Sequence, residues 1–366
     1  MRVIFSKIDI LSALNKIQSI VPQKPQMPIL SNILLLAINN ELILTATDLA
    51  LSMKISVQAK ILEEGAIVLS AKRLFLLVRE LTSPDIEVST SPFHVAMVYS
   101  GSSKFKIPGM NPAEFPEVPN LSEGLQIHFP TALFKEMLSK TSFSAGKDET
   151  RPIFSSIHLQ RNAINTTFTG ADGKRVARSS TEIPFPDDWQ GSFILPIKTV
   201  DEMIRLLDTQ EETITLHFLE QKISMQAGPI ILISQLLSGQ YPDISRIIPE
   251  KQPSSINLHR EELITLLRQI SLFTSAEKPS VRFTFSPGEL HLSITGSEAG
   301  EGHVNMPINY QGDRMDVAFN PAFFLDILRH SKDETVQLNI KDAYNPGLVT
   351  DSSSSFFVLM PMRLDH

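Results

Sequence analysis

The chain has 366 residues, enough for two or three domains, and its 42% hydrophobic and 20% charged residues are those of a folded globular protein. With no cysteine it can hold no disulfide, no Cys-ligated zinc, no iron–sulfur cluster and no catalytic thiol. A net charge of −7, if spread evenly, would repel nucleic acid, so the distribution of charge decides that question.

The opening Met1-Arg2-Val3-Ile4-Phe5-Ser6-Lys7-Ile8-Asp9 places charges where the apolar centre of a secretory signal would lie. No apolar run approaches the roughly 18–20 residues of a membrane span, so a cytoplasmic protein is expected. A strand at Val3–Phe5 leads into a helix over Lys7–Ile20. Thr45-Ala46-Thr47-Asp48 then ends an alternating strand in a turn, and Ile67-Val68-Leu69-Ser70 runs into an amphipathic helix over Ala71–Leu81. Ser70 is a good N-cap there. A proline-rich linker, Asn111-Pro112-Ala113-Glu114-Phe115-Pro116-Glu117, follows.

The same order then returns twice. Strand Gln126–Phe129 precedes helix Thr131–Ser142, Thr169-Gly170-Ala171-Asp172 repeats the turn, and Phe193–Pro196 leads into helix Ile197–Leu207 before the linker Gly239-Gln240-Tyr241-Pro242-Asp243. In the third passage Ile256–Leu258 precedes Arg260–Phe273, the turn is Thr295-Gly296-Ser297-Glu298, and Val317–Asn320 leads into Pro321–His330. The turn acids at 48, 172 and 298 are 124 and 126 residues apart, the helix starts at 70, 196 and 320 are 126 and 124 apart, and Pro116 and Pro242 are 126 apart. Independent landmarks keeping one period of about 125 residues mark a triplicated domain. The expected class is α+β, with two helices packed on antiparallel strands in each of three domains, 1–120, 121–250 and 251–366.

Charge sorts with the elements. The six helices, taken as 6–19, 71–82, 130–143, 197–208, 259–273 and 321–332, hold 13 Lys or Arg against 9 Asp or Glu, while the rest holds 20 against 31. Solvated helix faces in an acidic protein would give this pattern. So would equivalent helices that turn one shared face to a polyanion. Lys72 with Arg73, Lys198 with Arg205, and Arg329 with Lys332 hold similar places in the second helix of each domain. Few aromatics accompany them, so phosphate contact that ignores sequence is favoured over stacking on single-stranded bases.

Several segments together resemble one family, the bacterial sliding clamps, which are beta subunits of DNA polymerase III. They are Met27-Pro28-Ile29-Leu30, Thr45-Ala46-Thr47-Asp48-Leu49, Ala113-Glu114-Phe115-Pro116 and Ala171-Asp172-Gly173-Lys174-Arg175-Val176-Ala177. Gly239-Gln240-Tyr241-Pro242-Asp243 and Met360-Pro361-Met362-Arg363-Leu364 complete the set. The resemblance runs from end to end. It implies a DNA-clamp fold, a head-to-tail homodimer closing a ring of six domains around duplex DNA, and a nucleoid-associated processivity factor with no cofactor.

The resemblance also implies a hydrophobic cleft between the second and third domains that takes short peptides of DNA polymerase III, the clamp loader, other polymerases and repair proteins. Its second-domain side would be Phe154, Gly173, Lys174, Arg175, Val176, Pro242, Arg246 and Ile247. The third domain would supply Asn320, Phe323, Tyr344, Pro346, Val358, Met360, Pro361, Met362, Arg363 and Leu364. Apolar walls, adaptable methionines and a few polar groups suit peptide capture. Taken singly, Val176 and Val358 read as packing residues. Lys174 and Phe323 stand where the family often shows His and Tyr, which bears on peptide preference. Lys24, Lys72, Arg73, Arg151, Lys198, Arg205 and Arg282 are the implied DNA-facing residues, and Phe105 and Ile107 of one subunit would meet Leu272 and Phe273 of the other.

No catalytic constellation is evident. Gly170-Ala171-Asp172-Gly173-Lys174 has two residues between its glycines and Arg after the lysine, unlike a phosphate loop. The nine histidines show no metal spacing. Asp48, Asp172 and Glu298 sit at equivalent points of separate domains, which suits turn capping. Two alternatives remain: a non-catalytic scaffold of the same fold that does not encircle DNA, and a β-rich small-molecule carrier with an enclosed cavity in each repeat.

Overall fold

The computed structural model describes all residues except 120–123, 149, 163–164, 183–189, 209–210, 250–254, 276, 278, 298–299 and 364–366. The first repeat runs β1 (Arg2–Ser6), α1 (Lys7–Ile17), β2 (Asn32–Ile38), β3 (Glu41–Thr47), β4 (Leu51–Glu63), β5 (Gly65–Ser70), α2 (Ala71–Glu80), β6 (Asp85–Thr90), β7 (Val95–Ser100) and β8 (Ser103–Pro108). The second runs β9 (Leu125–Pro130), α3 (Thr131–Ser142), β10 (Ser156–Asn162), β11 (Asn165–Ala171), β12 (Arg175–Thr181), β13 (Gly191–Pro196), α4 (Ile197–Leu206), β14 (Thr213–Leu219), β15 (Lys222–Ala227) and β16 (Ile230–Gln235). The third runs β17 (Ile256–His259), α5 (Arg260–Ser271), β18 (Val281–Ser286), β19 (Glu289–Ser297), β20 (Gly300–Pro307), β21 (Met315–Phe319), α6 (Pro321–His330), β22 (Thr335–Asn339), β23 (Gly347–Thr350) and β24 (Ser355–Leu359). One order of elements therefore occurs three times, in an α+β fold of antiparallel sheets and six α-helices among the described residues.

Local chemistry explains the helix starts. The Ser70 hydroxyl accepts from the Arg73 amide at 3.4 Å, and Asn320 accepts from the Ala322 amide at 3.0 Å with Pro321 opening α6. Alternation sets the strands: β2 reads Asn-Ile-Leu-Leu-Leu-Ala-Ile, with Ile33, Leu35 and Ala37 buried and their neighbours half-buried.

Sheet pairing extends across the repeats, a register the sequence pattern did not show. Contacts group Met1–Phe134 with Asp201–Leu236 as one compact unit and Lys135–Val200 with Leu237–His366 as another. Within the first unit, the thirteen-residue β4 pairs with β1 and β3 of its own repeat and with β16 of the second, giving a twelve-stranded sheet. In the other unit β12 pairs with β24 in an eight-stranded sheet, β13-β10-β11-β12-β24-β23-β22-β17, and β20-β19-β18-β21 forms a further sheet. Its core gathers Phe283, Phe319 and Phe324 with ring centroids 5.2–5.4 Å apart, under Leu263 and Leu267 of α5 and Ile327 and Leu328 of α6. β8 and β20 each bond to one neighbour only among the described residues.

Candidate functional site

The expected cleft residues collect around the β12–β24 pair, where Arg175 faces Leu359 and Val176 faces Val358 across the ladder. Successive side chains leave a strand on opposite faces. Ala177, Phe357 and Leu359 enter the core beneath the helices, while Ala171, Val176, Leu348 and Val358 form a second cluster on the other face. Phe154, Tyr241, Ile244, Ile248 and Phe356 pack over that cluster. Val176 and Val358 are 3% and 1% exposed, so they are its floor, in keeping with the packing reading.

The linker is anchored by Tyr241, whose ring stacks on His158 at 4.8 Å between centroids. Burial, reinforced by the Arg178 charge, pushes His158 down to about 4, so the imidazole is neutral at pH 7 and hydrogen-bonds Ser192 at 2.7 Å. Beyond Tyr241 the chain leaves Pro242, Arg246 and Ile247 exposed. On the opposite rim the Met360 amide donates to the Lys174 carbonyl at 2.9 Å and the Met362 amide to the Ala318 carbonyl at 2.7 Å. These bonds fix the C-terminal strip while Met360 stays 38% exposed. Tyr344 stands 89% exposed on a turn held by Asp342, which accepts from the Tyr344 and Asn345 amides at 2.8 and 2.9 Å. Pro346, two residues on, is half-buried, as are Pro361 and Met362 of the C-terminal strip, and Arg363 is exposed.

The loop before β12 is an Asp-capped turn. Asp172 Oδ1 accepts from the Lys174 and Arg175 amides at 2.8 and 2.9 Å. Gly173 has φ +85°, and a Cβ there would meet nothing within 4 Å, so bare main chain faces open space. Asp48 caps the equivalent turn of the first repeat, accepting from the Ala50 and Leu51 amides at 3.0 and 2.7 Å. Glu298 lies outside the described residues.

Four expectations need adjustment. Arg175 offers no open charge to a ligand: its Nε meets Asp172 at 3.0 Å, Nη1 meets Asp326 at 2.7 Å, and Nη2 donates to the Phe143 carbonyl at 2.5 Å. The guanidinium also lies 4.4 Å from the Phe323 ring centroid. Asn320 spends its side-chain oxygen capping α6. Arg205 is bound by Glu202 at 2.6 Å, the Lys16 carbonyl at 2.6 Å and Ser19 at 2.5 Å, so its charge is largely offset. Ile107, on β8, is 3% exposed, so its side chain offers a partner no apolar surface, whereas Phe105 is 38% exposed. Leu364 lies outside the described residues. Sequence reasoning missed Tyr241, Ile244, Ile248 and His158. Only the first three had a signal, apolar spacing within the linker.

Elsewhere, Lys72 and Arg73 are exposed on α2, Lys198 is exposed in the first turn of α4, Lys24 and Arg151 are exposed in loops, and Arg282 is half-buried on β18. An open groove of ≈ 700 Å³ runs between α2 and β8, lined by Lys72, Arg73, Leu76, Leu77, Leu81 and Phe105 among others. Leu272, just past α5, is 79% exposed, and Phe273 is half-buried against the third repeat's core. No group of three metal-ligating side chains occurs among the described residues, and no described helix is long and apolar enough to cross a membrane.

A thrice-repeated arrangement of two helices on antiparallel strands, with an apolar strip beside a capped turn, defines the DNA-clamp class. Sequence profiles agree: the N-terminal, central and C-terminal domains of the DNA polymerase III beta subunit match residues 1–119, 128–243 and 245–363. The beta sliding clamp of Chlamydia muridarum is 42% identical over 365 residues, covering 100% of this chain and 99% of that one. A sliding clamp from Bartonella birtlesii, solved bound to griselimycin, is 26% identical and superposes with a TM-score of 0.95 over 100% of both chains. The Bacillus subtilis sliding clamp, at 22% identity and a TM-score of 0.95 over 100% of both, shares the fold. The chain belongs to the DNA polymerase III beta subunit family, the beta sliding clamps of DNA replication.

Proposed function

We propose that two copies of this chain close head to tail into a ring around duplex DNA and tether DNA polymerase III and other peptide-bearing partners, without catalysis. The three clamp domains are read as 1–120, 121–250 and 251–366. The observation that carries the ring is the order of sheet pairing. β16 pairs with β4 and β24 pairs with β12, joining the last strand of one repeat to the fourth strand of the repeat before it. β20 is the corresponding fourth strand of the third repeat and β8 the corresponding last strand of the first, and both are sheet edges here. Pairing β8 of one copy with β20 of a second would complete the joint and remove both edges. Phe105 lies on β8 itself and the exposed Leu272 ends α5, which packs on β20, and together they would give the joint an apolar contact.

DNA would be held by contacts that ignore sequence, from Lys24, Lys72, Arg73, Arg151, Lys198 and Arg282, with Arg205 contributing little charge. Partner peptides would lay apolar side chains against Met360, Ile247 and Phe154, with Lys174, Arg246 and Arg363 supplying positive charge at the rim. The chain would work in the cytoplasm, on the nucleoid. Primer extension on a long single-stranded circle tests this reading, using the matching polymerase, clamp loader and ATP. Adding the chain should convert short products to full-length ones in a single binding event; unchanged product length would refute the tethering role.

A further inference from the structure

The geometry points to Asp326 as a positioning residue of the peptide cleft, which sets the affinity of the cleft without touching the ligand. This rests on the cleft reading above. Asp326 on α6 holds Arg175 Nη1 at 2.7 Å, and the same guanidinium lies 4.4 Å from the centroid of Phe323, one turn earlier on that helix. Its other nitrogens bind Asp172 and the Phe143 carbonyl. The Arg175 side chain is only 11% exposed, so these partners, rather than water, determine where it lies. Arg175 is the first residue of β12 and directly follows the Gly173 turn. Fixing it therefore fixes the turn and the start of β12, whose next residue, Val176, forms the cleft floor on the opposite face.

The first repeat separates positioning from mere turn formation. There Asp48 makes the same two side-chain hydrogen bonds, and the Asp48 amide bonds the Leu51 carbonyl at 3.0 Å as Asp172 bonds Arg175 at 3.3 Å. Yet the residue in the place of Arg175 is Leu51, buried at 2%, and the residue in the place of Asp326 is Glu202, which binds Ser19 and Arg205 instead. The turn thus forms without an arginine or its carboxylate. The Asp326–Arg175–Phe323 stack is an addition found at the repeat junction that bears the apolar strip. A charged hydrogen bond shielded from water is strong and directional, and an arginine seated on a ring is fixed in plane.

The test uses the full-length chain and griselimycin, titrated by calorimetry, with thermal unfolding and the amide resonances of Gly173 and Lys174 read in parallel. Asp326→Asn should weaken binding about tenfold, up to the scale of one charged hydrogen bond spent on holding the cleft, with the melting midpoint lowered by only a few degrees and both amide resonances shifted. Asp326→Glu should recover most of the affinity. Should Asp326→Asn fold poorly, Phe323→Leu keeps the apolar packing, removes the ring, and should weaken binding in the same direction. Wild-type affinity in Asp326→Asn and Phe323→Leu, while Met360→Ala weakens binding, would overturn the positioning role and leave the cleft standing. Affinity that falls only in step with the melting midpoint would also overturn it. If the wild-type chain fails to bind, or Met360→Ala binds unchanged, the cleft reading itself fails.

Discussion

Asp351→Ala tests the energetics of the unit that carries the cleft. Lys140 on α3 is 5% exposed and its ammonium bonds Ser353 at 2.6 Å, Asp351 at 3.1 Å and Glu136 at 3.4 Å. Asp351 is 2% exposed and also accepts from Ser353. Removing one partner of a buried pair typically costs about 3–5 kcal/mol, because the remaining charge keeps its desolvation penalty. Glu136 still faces Lys140 after the substitution, so the low end, about 3 kcal/mol, is expected. For a unit of this size that corresponds to a fall of roughly 6–12 °C in the midpoint of its unfolding transition, read by scanning calorimetry. The double variant Lys140→Met with Asp351→Leu should recover most of the loss, since it removes both charges.

The same pair fixes a pH dependence. Burial alone would raise the Asp351 carboxyl, but hydrogen bonds from Ser353 and the Lys140 charge outweigh it and hold the group below the usual carboxylate range. A depressed carboxyl contributes its full stability above the unfolded value and loses it as pH falls through the folded one. The gap between wild type and Asp351→Ala should therefore be constant from about pH 8 to 5 and shrink below about pH 4. A midpoint shift under about 2 °C at pH 7, against the 3 kcal/mol expected for the lost pair, would refute the reasoning.

Three further outcomes follow from the geometry. Gly173→Val places a side chain at φ +85° where a Cβ meets nothing, so stability should fall by about 1–2 kcal/mol of backbone strain while griselimycin affinity falls further; equal affinity would put Gly173 outside the cleft. Leu272→Asp exchanges an exposed apolar contact for a charge and should weaken self-association by at least about 30-fold in sedimentation, the scale of one buried leucine; an unchanged dimer would exclude Leu272 from the joint. Lys72→Ala with Arg73→Ala should lower the slope of log affinity for DNA against log salt by about 2 per copy; an unchanged slope would mean that α2 does not meet phosphate.

The helices and the triplication were legible because they rest on patterns that local chemistry imposes: the cap at Ser70, alternation in β3, and turn acids at one spacing. Asp48 and Asp172 could be read as turn caps because an Asx turn needs only its own next residues. The β4–β16 and β12–β24 joints were not legible, since main-chain pairing between distant strands leaves little trace in side-chain identity. Arg175 shows the same limit within the site. The resemblance placed it in the cleft, but which way it turns depends on Asp326 and Phe143, 151 and 32 residues away. Ile107 and Phe105 share a strand face, and only the depth of packing beneath β8 separates the buried residue from the exposed one.

Encirclement is tested most directly by loading the chain onto nicked circular DNA with the matching clamp loader and ATP, then comparing its retention at moderate salt before and after the circle is cut. A topological link predicts that the chain stays on intact circles and slides off once the DNA is linear. Equal release from both forms would contradict it and favour a scaffold that touches DNA without enclosing it.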